Sequence, residues 1–191
     1  MPDPGRKRRH RLDSLLQALP ELVGVIDSFE QKIQRPKDPA VRDDFYSGKK
    51  KTQTLKSQVR VDAETGAIVD ISESVPGAQA DIKRLEHAKL LGNLPAGIGS
   101  MGDSGYQGID KLHPQGFSPP KKPRGKERSP DAIAYHTAFS RRRIIVENVN
   151  NRLRRYQSLS QTDRNHRQNH TQPVRAIAGL VNHQIRSRLL A

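Results

Sequence analysis

Leu22-Val23-Gly24-Val25-Ile26-Asp27 is an apolar run that ends on an acid, and residues 55–61 and 67–71 repeat its β-branched character further along the chain. Short branched runs bounded by turn formers predict strands. The first spans residues 23–33, is interrupted by polar Asp27 to Glu30, and is broken by Arg35-Pro36-Lys37-Asp38-Pro39. Asp62-Ala63-Glu64-Thr65-Gly66 is a turn cluster, so the next two runs predict a hairpin. With the first strand it makes a three-stranded antiparallel unit. Pro76-Gly77 then leads into a helix carrying Ile82, Leu85, Leu90 and Leu91, and a loop over residues 92–97 precedes a fourth strand, 98–101, that ends at Gly102-Asp103.

Residues 113–130 are mostly loop, with Phe117 and Ser118 as a short fifth strand. Ser129-Pro130-Asp131 opens a long helix, because serine caps, proline suits the first turn and an acid suits the positive helix end. Ala138, Ile145, Val149, Leu153 and Tyr156 are its expected buried stripe; Val174, Ile177, Ala178, Val181 and Ile185 form that of a last helix, beyond a polar stretch at 157–172. Leu12, Leu15, Leu16 and Leu19 predict a short amphipathic turn stopped by Pro20. The expected division is a basic lead-in at 1–20, a main domain at 21–157, and a polar linker with a C-terminal helix packed on that domain at 158–191. The element order is that of an α/β, ribonuclease H-like fold with a mixed five-stranded sheet flanked by helices.

The chain has 191 residues, enough for one domain with a real core. Only 33% are hydrophobic and the mean hydropathy is -0.80, so that core must be compact. Lysine and arginine number 34 against 20 acids, a formal charge of +14. Such a surface suits a polyanionic partner, since neutralising phosphates releases condensed counterions. There is no cysteine, which excludes disulfide scaffolds and thiolate metal sites. No secretory signal core follows the basic opening and no run approaches the ~20 apolar residues of a membrane span, so a soluble cytoplasmic protein is expected.

Against this basic background three acids stand out. Asp27 closes the first apolar run, Asp103 lies in Met101-Gly102-Asp103-Ser104-Gly105-Tyr106, and Glu147 rides Arg143-Ile144-Ile145-Val146-Glu147. Cleavage of a phosphodiester by two divalent ions needs hard oxygen ligands, which carboxylates supply. Strand end, post-strand loop and helix could converge on one such site. Glu147 lies roughly 200° from Ile145 around the helix, which puts it on a polar face with Arg143, Asn150, Asn151 and Arg154. Taken singly the plainer readings are better, Asp27 as a solvated strand terminus, Asp103 as a turn residue and Glu147 as a helix-surface partner of Arg143; with their local motifs the balance reverses.

The surrounding motifs carry a resemblance. Asp27-Ser28-Phe29-Glu30 through Gln34-Arg35-Pro36-Lys37, Tyr46-Ser47-Gly48-Lys49-Lys50-Lys51, Pro76-Gly77 with Asp81-Ile82, Gly102-Asp103-Ser104-Gly105-Tyr106-Gln107-Gly108, Lys121-Lys122-Pro123-Arg124-Gly125 and Arg143 to Glu147 follow one another in order. Over residues 20–187 the chain resembles the DDE-superfamily transposases of bacterial insertion sequences, the insertion-sequence-five type that includes Harbinger-like proteins. The resemblance implies a ribonuclease H-like core on which Asp27, Asp103 and Glu147 are catalytic ligands of two Mg²⁺ or Mn²⁺ ions. It further implies water attack at an element end, then attack of the freed 3′-hydroxyl on target DNA, in a bacterial, nucleoid-associated protein that could act as a homodimer. Asp81 matches another acidic position, with a supporting role. Phe29 stands where the family commonly has a small hydroxyl residue, and Ala80 where it usually has histidine. Only 26 residues precede Asp27, too few for the helix-turn-helix that recognises element ends, so a truncated copy or a catalytic fragment is expected. The alternative is a catalytically inactive DNA-binding remnant.

Lys49, Lys50, Lys51, Lys121, Lys122, Arg124, Lys126, Arg141, Arg142 and Arg143 are the candidate phosphate contacts. His166 and His170 have the spacing of helical metal ligands, but among Arg164, Asn165, Arg167 and Asn169 a solvated polar segment is the better reading. The echo of a serine-protease nucleophile loop at Gly102 to Gly105 has no supporting histidine motif.

Overall fold

In the computed structural model, which describes residues 22–88, 91, 98–120 and 129–190, the first strand is less interrupted than its sequence suggests. Strand β1 (Leu22–Lys32) runs straight through the polar stretch. Its backbone pairs antiparallel with β3 (Thr52–Asp62) from Gly24 opposite Asp62 to Lys32 opposite Thr54. The polar side chains do not break it because each finds a partner on one face or the other.

The hairpin forms as read. Strand β4 (Ile68–Ile71) folds back on β3, and the Asp62 side chain closes the turn by accepting from Thr65 N at 2.7 Å. On the other side of β1, β6 (Gly99–Gly102) and then β7 (Gly116–Phe117) add in parallel. The mixed sheet therefore runs β4-β3-β1-β6-β7, with two short segments, β2 (Tyr46–Ser47) and β5 (Val75–Pro76), also paired to β3. Those five strands are the mixed sheet expected, and the two short segments bring the paired segments to seven among the described residues.

Helices cover both faces, as the alternation of β1 requires. Val25 and Phe29 enter a large core with α4 (Pro130–Leu153) and α6 (Thr171–Leu189), whereas Ile26 faces a smaller one with α2 (Asp81–Ala88) and α3 (Ile109–Leu112). Short helices α1 (Pro39–Arg42) and α5 (Gln157–Ser160) complete the set. Ser129 caps α4 by accepting from Ala132 N at 3.3 Å. The buried stripe of α4 differs from the expected one: Tyr135, Phe139, Val146, Val149, Asn150 and Leu153 are buried, while Ala138, Ile145 and Tyr156 pack only partly. Large side chains turn the helix so that aromatic rings, not Ala138, fill the space beneath the sheet.

Residues 157–172 are not a bare linker. They contain α5 and a parallel bridge between Asp163 and Ile33, with Asp163 N donating to Lys32 O. His170 is buried there rather than solvated, and its Nδ1 and Nε2 meet Ser74 Oγ at 2.7 Å and Gln31 Oε1 at 3.0 Å. Gln31 donates its amide to Ser158 O and Gln161 O, so its oxygen must face His170, which makes Nε2 the protonated nitrogen. His166 is exposed and both ring nitrogens of His170 are engaged with Ser74 and Gln31, so the pair is not arranged as metal ligands. The expected turn at Leu12 to Leu19, Leu90, and Lys121, Lys122, Arg124 and Lys126 lie outside the described residues. Among the described residues no helix is long and apolar enough to cross a membrane.

Candidate active site

Two of the three acids become neighbours through sheet register. The parallel pairing of β1 with β6 ends at Ile26 opposite Gly102, so Asp27 and Asp103 are the next residue of each chain segment. Asp27 is therefore mid-strand against β3 but at the end of the ladder with β6. Asp103 caps a 3-10 turn at Ser104–Tyr106, its Oδ1 accepting from Gly105 N at 2.8 Å.

Asp27 lies on the β1 face that looks to α4. Asn150 donates Nδ2 to Asp27 Oδ2 at 2.9 Å, and Arg143 brings Nη2 to 3.7 Å from Asp27 Oδ1. Burial pushes the Asp27 carboxyl above its ordinary value, with Asp103 adding to the rise and Arg143 opposing it. Desolvation outweighs the partners. Glu147, more than half exposed, is 3.7 Å from the same Arg143. Asp27, Glu147, Lys49, Lys50, Asn150 and Arg154 line one cleft of about 270 Å³, to which Asp103 does not contribute.

The opposite β1 face supports the loop that carries Asp103. Ser28 donates to Asp81 Oδ1 at 2.6 Å, so the Tyr106 hydroxyl, 3.0 Å from Ser28, donates to it. Burial, with the Asp81 charge, holds the Tyr106 phenol well above its ordinary value, hence protonated. Lys56 reaches Asp81 at 3.1 Å and Glu30 at 3.5 Å. Two glycines make this packing possible. A Cβ at Gly102 would lie 2.6 Å from the Tyr106 ring, and one at Gly105 would lie 2.9 Å from Asp103 Oδ1 and 3.0 Å from Asp81 Oδ2. Asp81 is thus a close neighbour of Asp103.

Among the candidate phosphate contacts, Lys49 and Lys50 line the cleft. Lys51 is exposed beside it in a left-handed conformation at φ 54. Arg143 is engaged with carboxylates rather than offered to phosphate, and Arg141 and Arg142 are exposed but do not line the cleft. Asn150, expected on the solvated face, is buried against Asp27. Sequence reading missed Asn150, Ser28, Lys56 and Tyr106. The signal available for Ser28 was the period of two along β1, which sends it to the face opposite Asp27. Phe29 fills the core, with the Arg154 guanidinium 5.4 Å over its ring, and Ala80 is exposed just before α2.

Oxygen donors of the kind a hard divalent cation takes are present: two adjacent aspartates, a glutamate across the cleft, and Asn150 Oδ1, buried beside Asp27 with no hydrogen-bond partner among the described residues. Their chemistry fits such an ion. As they stand, no three acidic or histidine side chains among the described residues are gathered closely enough to hold one, and Arg143 contacts both Asp27 and Glu147.

Sequence comparison decides the family. The family model for the DDE superfamily endonuclease matches residues 26–182, which include all three acids and most of the described fold. The chain belongs to the DDE superfamily endonucleases. It is similar to a probable transposase for insertion sequence element IS702 of Microchaete diplosiphon, 31% identical over 182 residues, covering 95% of this chain and 62% of that protein. The chain thus spans less than two thirds of that relative's length. No solved structure matches this DDE family member significantly.

Proposed function

We propose that this chain is the ribonuclease H-like catalytic domain of a DNA transposase, cutting and joining DNA phosphodiesters. The observation that carries the reading is the adjacency of Asp27 and Asp103 at the end of the β1–β6 ladder, beside a lysine-lined cleft whose far wall holds Glu147. The element order supports the fold assignment: an antiparallel β1-β3-β4 unit, a helix, a parallel strand, then a long helix. Residues 21–157 are its catalytic part, and Leu159, Val174, Ala178, Val181 and Ile185 from the remaining segment complete the core.

Asp27, Asp103 and Glu147 would hold Mg²⁺ or Mn²⁺, which when bound activates a water and stabilises the leaving oxygen. Lys49, Lys50 and Arg154 hold a phosphodiester strand over the cleft by charge. Asn150 fixes the Asp27 carboxylate, and the Ser28-Asp81-Tyr106 network fixes the loop of Asp103. Arg143 must leave Asp27 and Glu147 for a cation to replace it, and its guanidinium is then free to meet phosphate. The DNA partners are element ends and target, handled by a homodimer in a bacterial nucleoid.

The test is nicking and strand transfer on DNA with Mg²⁺ or Mn²⁺, comparing the chain with Asp103→Asn. Activity lost in the variant supports the reading; equal activity in both refutes it. The Arg143 bridge favours a second reading, a DNA-binding remnant without catalysis. Salt-sensitive DNA binding with no cleavage under either metal would select it.

A further inference from the structure

We propose that the groove between the C-terminal end of α4 and the last two turns of α6 is a second site for the phosphate backbone of duplex DNA, an inference that rests on the DNA-processing reading above. The groove encloses about 650 Å³, and Arg152, Arg155, Tyr156, His183, Gln184 and Arg188 make up most of its lining. Among the described residues no carboxylate lines it. Arg143, Lys56 and Arg175 each hold an acid, whereas none of the three groove arginines makes an ion pair among the described residues. Three guanidiniums without counter-charge are matched by a ligand that brings several negative charges of its own.

The walls are firm. Gln184 donates to the Tyr156 hydroxyl at 3.1 Å, tying the end of α4 to α6, and leaves the phenol a proton to offer. Leu153, Val181 and Ile185 belong to the buried core joining the same two helices. The guanidinium fork matches phosphate oxygens in pairs, and ordered walls hold it ready. Around the Tyr156 and His183 rings the lining is arginine, glutamine and serine, hydrogen-bonding side chains of the kind that meet backbone phosphate.

Its position relative to the candidate active cleft gives it a use. Arg154 lines that cleft and Arg155 lines the groove, so consecutive residues carry positive charge from one to the other. Glu147 and Arg152 are about 8 Å apart along α4 at ~1.5 Å per residue, or two to three phosphate steps at ~3.4 Å of rise per strand. A duplex leaving the cleft passes onto the groove. Backbone contacts there are blind to sequence and set how the DNA lies across the active face.

The experiment measures binding of the full chain to a short duplex of arbitrary sequence by fluorescence anisotropy across a salt series, for wild type and for Arg155→Gln with Arg188→Gln. The double variant is expected to bind several-fold more weakly on any sequence. Its slope of log affinity against log salt falls by about 1.8, at ~0.9 for each phosphate no longer neutralised. Arg155→Lys with Arg188→Lys keeps the slope, and circular dichroism shows all variants folded. A wild-type slope in the folded glutamine variant overturns the proposal. So does a variant that keeps its DNA affinity but no longer binds polyglutamate, which would assign the groove to an acidic protein. If the wild type binds no duplex at any salt, it is the underlying DNA reading that fails.

Discussion

Removing the Lys56 ammonium tests the scaffold of the candidate site most directly. The side chain is 8% exposed and holds Asp81 at 3.1 Å and Glu30 at 3.5 Å, themselves 25% and 6% exposed, while donating to Gln79 O at 3.0 Å. Lys56→Met keeps the apolar stem and removes the one cation that both acids share. Breaking a buried ion pair by deleting one partner costs about 3–5 kcal/mol, because the remaining charge is left desolvated. Thr54 still donates to Glu30 and Ser28 still donates to Asp81, so the lower end, about 3 kcal/mol, is expected. At ~2–4 °C per kcal/mol for a chain of this size, the melting midpoint drops by about 6–12 °C. Urea unfolding followed by circular dichroism gives the free energy, and an unchanged m-value shows that the native state has not opened. Adding Glu30→Gln and Asp81→Asn to Lys56→Met should recover most of the loss, since no buried charge is then unpaired. A loss under about 1 kcal/mol, the range of solvated surface pairs, or a triple variant no better than the single one, refutes the reasoning.

Three further outcomes follow from the same geometry. The folded-state pKa of Asp27 is raised, so the native state holds that proton more tightly than the unfolded chain and loses stability as pH climbs from the ordinary value of 3.8 through the folded value. Asp27→Asn should therefore melt higher than wild type at neutral pH and flatten that slope; a lower melting point there would contradict it. The pKa of His170 is depressed by burial, so stability is lost as pH falls through the ordinary 6.5 to the folded value, and thermal scans of His170→Gln should lack that step. Gly105→Ala drives a methyl between Asp103 and Asp81, and metal-dependent nicking should fall on the order of 10²-fold for a displacement near 1 Å, with a melting shift of only a few degrees.

Several elements were legible because their signals are local. The Asp62 to Gly66 turn, the Ser129 cap and the α6 stripe of Val174, Ala178, Val181 and Ile185 are fixed by near neighbours in sequence. The break expected at Asp27 to Glu30 was wrong for a reason that lies elsewhere in the chain. Asn150, Asp81 and Lys56 supply the partners that let polar residues sit in a central strand, and all three are far away in sequence. The α4 stripe shifted likewise, since which helix face is buried depends on how Tyr135 and Phe139 fill the space against the sheet. His170 looked solvated among its polar neighbours until Gln31 and Ser74, distant in sequence, closed around it.

The sequence by itself determined the family, the three candidate acids and the excess of positive charge, because these reside in residue types and their order. Only the tertiary structure decided which acids meet. Strand register brought Asp27 beside Asp103, the turn of α4 interposed Arg143 before Glu147, and the crossing of α4 with α6 gathered three arginines into a groove. Distances between segments are set by pairing and packing over the whole chain, which no local pattern encodes.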